Sequence, residues 1–313
     1  MSESEEFDVV VVGGGPAGLI TAIMCASRHL NVLILERQKV GGLLATLYPQ
    51  KTIPNYPGFP QGVLAIELVR TWLGHLRFSS TTVKTENTLN IDKDLTVTTN
   101  VNKYKPKVVV VATGARPRML EVPGESKFAQ KGGGVHYFPS HPEEFLGKRV
   151  LVVGGGDTAI DATIELLNLA DELTLVHRRE GFRAFDQNVE KVKESGIVNF
   201  IMNSTVKSIK GRTHVEKAII VQKGKQLEKK VDAIIIAVGL IPNTEALTKL
   251  ELQTNRNGFI ITDRAQRTNV EGIFAVGDVT DIGLRLITVA AAHGAIASHH
   301  IYSYIKKPYW ANS

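Results

Sequence analysis

The chain has a single cysteine, Cys25, in 313 residues. One cysteine cannot close an intramolecular disulfide, and no Cys-x-x-Cys pair exists, so a thiol relay within the chain is excluded. Such sparse cysteine fits a reducing, cytoplasmic compartment. Cys25 lies between Met24 and Ala26 in a segment that reads as a helix, where a thiol packs as a small apolar group. No apolar run approaches the ~20 residues of a membrane span. Met1–Glu6 is acidic and polar and has no signal-peptide layout. There is no Lys/Arg block and no basic motif interleaved with aromatics, so nucleic-acid binding is not expected, and no metal site is expected either. What remains is ordinary for a soluble globular chain: 43% hydrophobic and 22% charged residues, with a length that suggests about two domains. The formal charge of +6 is mild and compatible with an acidic protein partner.

Phe7–Gly18 reads FDVVVVGGGPAG. Four consecutive valines suit a parallel strand buried on both faces. They run into Gly13-x-Gly15-x-x-Gly18, and an amphipathic segment, Leu19–Arg28, follows. This is the strand–turn–helix context of the dinucleotide fingerprint. Gly13 permits the tight turn, Gly15 lets backbone approach a pyrophosphate, and Gly18 allows close helix–strand packing. Pro16 and Ala17, inside the glycine turn, join the candidate dinucleotide-binding residues, and the N-terminus of the helix that follows faces the phosphates with free N–H groups. The next strand, Val32–Leu35, ends at Glu36, 23 residues after Gly13, near the ~20 expected for an acid on a ribose hydroxyl.

Further along, Gly41 and Gly42 allow a close backbone approach to something flat or charged. Leu47–Pro60 reads as an irregular loop laid over a surface. Val63, Ile66, Leu68, Val69 and Leu73 have helical spacing, and Thr82–Thr99 reads as short β segments with a turn near Asp92–Asp94. Lys107–Gly114 is another buried strand ending in Ala112-Thr113-Gly114. The chain then crosses to a second domain.

Lys148–Ala159 reads KRVLVVGGGDTA and restarts the pattern: a strand, Gly154-x-Gly156-x-x-Ala159, a helix over Ile160–Ala170 and a strand over Leu173–Val176. Gly155, Asp157 and Thr158 complete this turn. The spacing 177 − 154 = 23 places His177 where the first copy has Glu36. One nucleotide-binding unit thus occurs twice, about 140 residues apart. The copies differ where specificity resides. Glu36 binds a free ribose 2′-OH and repels a 2′-phosphate. His177-Arg178-Arg179, with Arg183 four residues later, offers charge-assisted hydrogen bonds to that phosphate. Copy one should therefore take an adenine dinucleotide without the phosphate, and copy two NADP(H). Asp232–Gly239 repeats the strand ending of the first half, the chain crosses back at Leu240–Leu247, and Ile273–Asp278 is one more strand with a carboxylate at its end. Leu284–Tyr304 reads as a helix whose start, near Leu286–Val289, points at a ligand or simply packs.

These residues resemble the two-domain flavoproteins that include the low-molecular-weight thioredoxin reductases and the related ferredoxin/flavodoxin–NADP reductases. GGGPAG with Glu36, ATG at Ala112–Gly114, GGGDTA, HRREGFRA at His177–Ala184 and GD at Gly277–Asp278 occur in that family's order across nearly the whole chain. The resemblance implies an α/β protein of two Rossmann-like, three-layer ββα-type domains, the second inserted in the first. Residues 1–116 and 241–313 would bind FAD, and residues 117–240 NADPH. It also implies a homodimer. Thr46–Lys51, Tyr56–Pro60, PRMLEVPGE and GGVHYF look like the ferredoxin–NADP reductase branch, in which a tyrosine at the place of Tyr48 stacks on the flavin. The resemblance adds Arg37, Gly42, Leu43, Thr88, Leu286 and Ile287 to the FAD residues, gives Asp278 the ribityl chain, and adds Gly239 to the NADPH residues. Leu43 departs from the family, which usually has Gln there. The chain also stops soon after Lys306–Trp310, where that branch often has a flavin-covering extension; Tyr309 or Trp310 could substitute. No side-chain nucleophile or general acid is required. The expected activity is transfer of electrons from NADPH through FAD to ferredoxin or flavodoxin. An oxidase or diaphorase using oxygen or a quinone, and a low-turnover flavin redox sensor, are the alternatives.

Overall fold

Val9–Val12 and Val108–Val111 are fully buried strands lying side by side, Val9 opposite Val108 and Val12 opposite Val111. The computed structural model describes residues 6–308 except 78, 131 and 140, and it divides into two compact units. One takes the chain up to Arg116 and again from Ile241; the other is Pro117–Leu240.

The main sheet of the first unit has five parallel strands in the order Ile273–Ala275, Val108–Val111, Val9–Val12, Val32–Glu36, Thr81–Thr85. Side chains alternate across a strand, so each valine run faces two ways. Val9, Val11, Ile34 and Val110 pack with Leu19, Cys25, Leu68, Trp72 and Ile301 from the helices Pro16–Ala26, Ala65–Leu76 and Ile287–Lys306. Val10, Val12, Leu33 and Val109 pack with Ile91, Val97 and Tyr104 from a small antiparallel sheet of Thr88–Ile91, Val97–Thr99 and Lys103–Tyr104. Helices on one face and a small sheet on the other make three layers.

The second unit repeats this plan. Its parallel sheet runs Val135–His136, Ala233–Ala237, Arg149–Gly154, Glu172–His177, Val198–Met202. Val150 and Val152 meet the helices Asp157–Leu166 and Asp186–Glu194, whereas Leu151 and Val153 meet the antiparallel sheet Ser204–Gly211, Val215–Gln222, Lys225–Lys230. The two orders match strand for strand, but the outer strand beside Val108–Val111 comes last in its unit, and the one beside Ala233–Ala237 comes first. In the order of its main-sheet strands along the chain, the second unit is a cyclic permutation of the first. The chain is thus an α/β protein of two Rossmann-like domains.

Several boundaries fall elsewhere than the periodicity predicts. The first helix begins at Pro16, not Leu19, because proline's fixed φ suits the first helical position. It ends at Ala26, and His29 adopts a left-handed φ of 59°. The second glycine-turn helix covers Asp157–Leu166, earlier than Ile160–Ala170. Val63 belongs not to the third helix but to a strand pair, Val63–Leu64 with Thr52–Ile53, which gives the proline-rich loop a short ladder. The strand before Asp278 stops at Ala275, and Asp278 lies on a 3-10 turn, Gly277–Val279. Tyr309 and Trp310 lie outside the described residues. No described helix is long and apolar enough to cross a membrane, and the described residues hold no group of three or more His, Cys, Asp or Glu able to grip a metal.

Candidate functional site

At the first glycine turn, a Cβ on Gly13 would sit 2.3 Å from the Ala112 carbonyl oxygen, and one on Gly18 would sit 2.0 Å from the Gly13 oxygen. The turn is therefore pressed between its own helix and the end of the neighbouring strand. Gly15, by contrast, has no atom within 4 Å of its Cβ position and caps its helix without a side-chain hydrogen bond. Open space thus faces free N–H groups, the arrangement an anion needs. Glu36 is buried, and its carboxylate is fixed at both oxygens: Oε2 accepts the Gly14 N–H at 2.8 Å and Oε1 the Gln38 N–H at 2.9 Å. Its remaining lone pairs can accept ribose hydroxyls. Gly41 donates its N–H to the Gly14 oxygen at 2.7 Å, and a Cβ on Gly42 would lie 3.0 Å from the Gly15 Cα. The close approach expected of Gly41-Gly42 is thus to the glycine turn itself. Pro16 and Ala17 are the first two residues of the helix, and Arg37 is exposed beside Glu36. Leu43 opens the one-turn helix Leu43–Thr46.

Thr113 donates its hydroxyl to the Asn243 oxygen at 2.6 Å, Asn243 Nδ2 donates to the Thr113 oxygen at 2.8 Å, and the Asn243 N–H meets the Gly114 oxygen. The Ala112–Gly114 turn is thereby tied to the returning chain. Asp278 makes no side-chain hydrogen bond, and burial raises its carboxyl above the usual range, against the opposing pull of Arg285. Burial pushes the Tyr48 hydroxyl up and the negative charge of Asp278 adds to it, so the two side chains share one environment. Thr88 Oγ1 and Arg285 Nε are buried without a hydrogen-bond partner. Leu286 caps Ile287–Lys306 without a side-chain hydrogen bond, leaving the first-turn N–H groups open. A polar ligand is what such orphaned groups lack. An open, anion-ready turn, a fixed acid and a half-buried carboxyl without a hydrogen bond fit FAD.

Two residues here carry no sequence signal. Arg285 lays its guanidinium 4.2 Å from the Phe259 ring centroid beside Asp278. His293 is buried, burial lowers its pKa, and its Nδ1 accepts the Gly277 N–H at 3.2 Å. Only the fold brings position 293 back beside position 277.

The second glycine turn has the same geometry. A Cβ on Gly154 would sit 2.4 Å from the Ala237 oxygen, while Gly156 has nothing within 4 Å of its Cβ position and caps its helix without a side-chain bond. Asp157 and Thr158 open that helix, and Ala159 fills the place of Gly18. Gly239, at φ 108°, follows the neighbouring strand with open space around it. His177 corrects one expectation. Its ring lies directly under Gly155, stacks on Phe182 at 5.5 Å, and places Nε2 3.2 Å from the Gly181 oxygen. Burial lowers its pKa, against the pull of the Gly181 carbonyl and with the nearby arginines adding to it, so it is a neutral brace and not a fourth cation beside the three arginines. Arg178, Arg179 and Arg183 are all exposed, and no guanidinium among them makes an ion pair or hydrogen bond. Glu36 and His177 thus both support the middle glycine of their turns, one with a carboxylate and one with an uncharged ring.

The model of the pyridine nucleotide-disulphide oxidoreductase family matches residues 7–294. Ferredoxin–NADP reductase of Ignicoccus hospitalis is 34% identical, covering 97% of this chain and 99% of its own. Thioredoxin reductase of Bacillus subtilis is 33% identical, covering 98% and 97%. The crystal structure of Lactococcus lactis thioredoxin reductase superposes with a TM-score of 0.85 at 32% identity, over 97% of this chain and all of that one. FAD and NADPH are the cofactors of this family. The paired glycine turns, the acid on one and the free arginines on the other agree with these matches, and the chain belongs to the pyridine nucleotide-disulphide oxidoreductase family.

Proposed function

We propose that the protein passes electrons from NADPH through FAD to a small acidic electron carrier of the ferredoxin or flavodoxin type. The first unit would hold FAD and the second NADPH. Glu36 accepts hydroxyls of the adenosine ribose, Asp278 accepts from the ribityl chain, and Tyr48 lies against the flavin ring. The partial positive charge at the start of Ile287–Lys306 favours negative charge on the ring. Arg178, Arg179 and Arg183 hold the 2′-phosphate. FAD, when bound, supplies the exchange between a two-electron hydride donor and one-electron acceptors.

The observation that carries the acceptor reading is the single, buried cysteine. Burial pushes the Cys25 thiol up to about 12, so it is neither paired nor reactive. The family's disulfide chemistry has no thiol to pass through in this chain. Parallel steady-state assays with ferredoxin, flavodoxin, thioredoxin, a quinone and oxygen test this. Carrier reduction should dominate, thioredoxin should not be reduced, and Cys25→Ser should leave carrier reduction intact. Thioredoxin turnover, or a folded Cys25→Ser variant without carrier reduction, would overturn the reading.

An acidic carrier is also favoured by where the charge lies. Between Ser204 and Lys230 the chain has eight Lys and Arg against two Glu, an excess equal to the whole chain's +6. Lys210, Lys217 and Lys230 stand directly opposite one another across three strands, with only Lys217 paired, to Glu228. Like charges in register are destabilising unless something neutralises them. The rate with an acidic carrier should therefore fall as salt rises, through screened association. A salt-independent rate would point to oxygen or a small quinone instead.

A further inference from the structure

Phe185 is the most exposed large apolar side chain among the described residues, at 75%. Its neighbours are not. Phe182 stacks on His177, and Ala184 is buried in the helix-side core. The segment alternates: Phe182 inward, Arg183 outward, Ala184 inward, Phe185 outward. The backbone under Phe185 is held at both ends. Arg183 donates its N–H to the Gly155 oxygen at 2.8 Å, and Phe185 donates its N–H to Asp157 Oδ1 at 3.0 Å. Gly155 belongs to the second glycine turn, and Asp157 is the first residue of its helix. A bare aromatic ring is thus fixed at the rim of the nucleotide turn, two residues from an unpaired guanidinium.

We propose that Phe185 is the stacking platform for the adenine of the pyridine nucleotide, a role that rests on the NADPH reading of this unit. The turn and helix start address the pyrophosphate, and the arginines address the 2′-phosphate. The adenine is the flat apolar part of the ligand, and neither group covers it. It is attached to the same ribose as the 2′-phosphate, so its support must lie close to the phosphate-binding arginines. Arg183 and Phe185 are both exposed on the short segment that runs from the Gly155 contact to the Asp157 contact, so a charge and a π-face stand close together at the rim of the turn. Base–aromatic stacking needs no hydrogen-bond code and is strong enough to matter.

The test uses the FAD-loaded protein and 2′,5′-ADP, which carries the adenine and the 2′-phosphate but no nicotinamide. Calorimetric titration should show about a tenfold weaker complex for Phe185→Ala, and Phe185→Trp should restore it. In turnover, Phe185→Ala should raise KM for NADPH and NADH by the same factor with kcat unchanged, since both carry adenine. Unchanged 2′,5′-ADP affinity in Phe185→Ala, or equal weakening in the Trp variant, overturns the platform and leaves the NADPH reading standing. A raised KM for the electron carrier alone would overturn it in favour of an acceptor contact. A parent protein that binds no 2′,5′-ADP defeats the NADPH reading and the platform together.

Discussion

Replacing Arg178 and Arg179 together with alanine is expected to weaken NADPH binding about a hundredfold and to leave NADH nearly unchanged. Each guanidinium offers the 2′-phosphate a charge-assisted hydrogen bond, and losing two costs on the order of 3 kcal/mol. The structure makes this a clean experiment. Both arginines are exposed and make no side-chain hydrogen bond or ion pair, so removing them breaks nothing in the free protein. His177, the neighbour most easily confused with a phosphate ligand, is an uncharged brace beneath Gly155 and stays in place. Three unpaired cations on one turn repel each other until an anion arrives, so the phosphate also relieves that strain. The measurement is the pair of KM values, supported by titration with 2′,5′-ADP and 5′-ADP. Equal loss with both coenzymes would make the arginines structural. A parent protein that prefers NADH would show that the turn has been misread, without touching the first unit.

The repeat and its chemistry were legible because both are local. An apolar strand, a Gly-x-Gly turn closed by Gly18 or Ala159, and the residue 23 positions on, Glu36 or His177, lie within one strand–helix–strand unit, so sequence distance stands in for spatial distance. The structure bears this out most closely at Gly13 and Gly154. Each faces a carbonyl from the same relative strand, at 2.3 Å and 2.4 Å from where a Cβ would be. What escaped the sequence depends on which way a side chain turns or on contacts made from far along the chain. His177 occupies the register of Glu36, yet an imidazole cannot bind two N–H groups as a carboxylate does, and its ring packs beneath the turn. Arg285 and His293 act on Asp278 and Gly277 only after the last helix has folded back on the sheet. The helix starts differ from the periodicity for another reason: periodicity registers the apolar stripe, whereas the helix begins at the proline or aspartate that precedes it. The permuted edge strand was invisible because Val135–His136 is two residues long and has no pattern of its own.

Glu36→Ala should raise the dissociation constant for FAD between about tenfold and a hundredfold, because it removes a charged acceptor worth about 1.5–3 kcal/mol. A second cost falls on the protein itself. The carboxylate is buried and receives two backbone N–H groups, from Gly14 at 2.8 Å and Gln38 at 2.9 Å. Without it the Gly14 N–H is left unpaired at the centre of the turn, at roughly 1–3 kcal/mol. The two costs separate experimentally. Denaturant unfolding of the apoprotein reads the second alone, and titration of apoprotein with FAD reads the first, because a cost present in both the free and the bound protein cancels in the dissociation constant. Glu36→Gln sharpens the comparison. An amide keeps one acceptor oxygen but turns an NH₂ donor toward the other backbone N–H, so it cannot satisfy both, and it should behave nearer to alanine than its shape suggests. NADPH binding by the second unit should not change in either variant. An alanine variant that is less stable but holds FAD as tightly as the parent would reduce Glu36 to a brace, the role His177 has in the other copy. A parent protein that is colourless and takes up no FAD would remove the flavin from the first unit altogether.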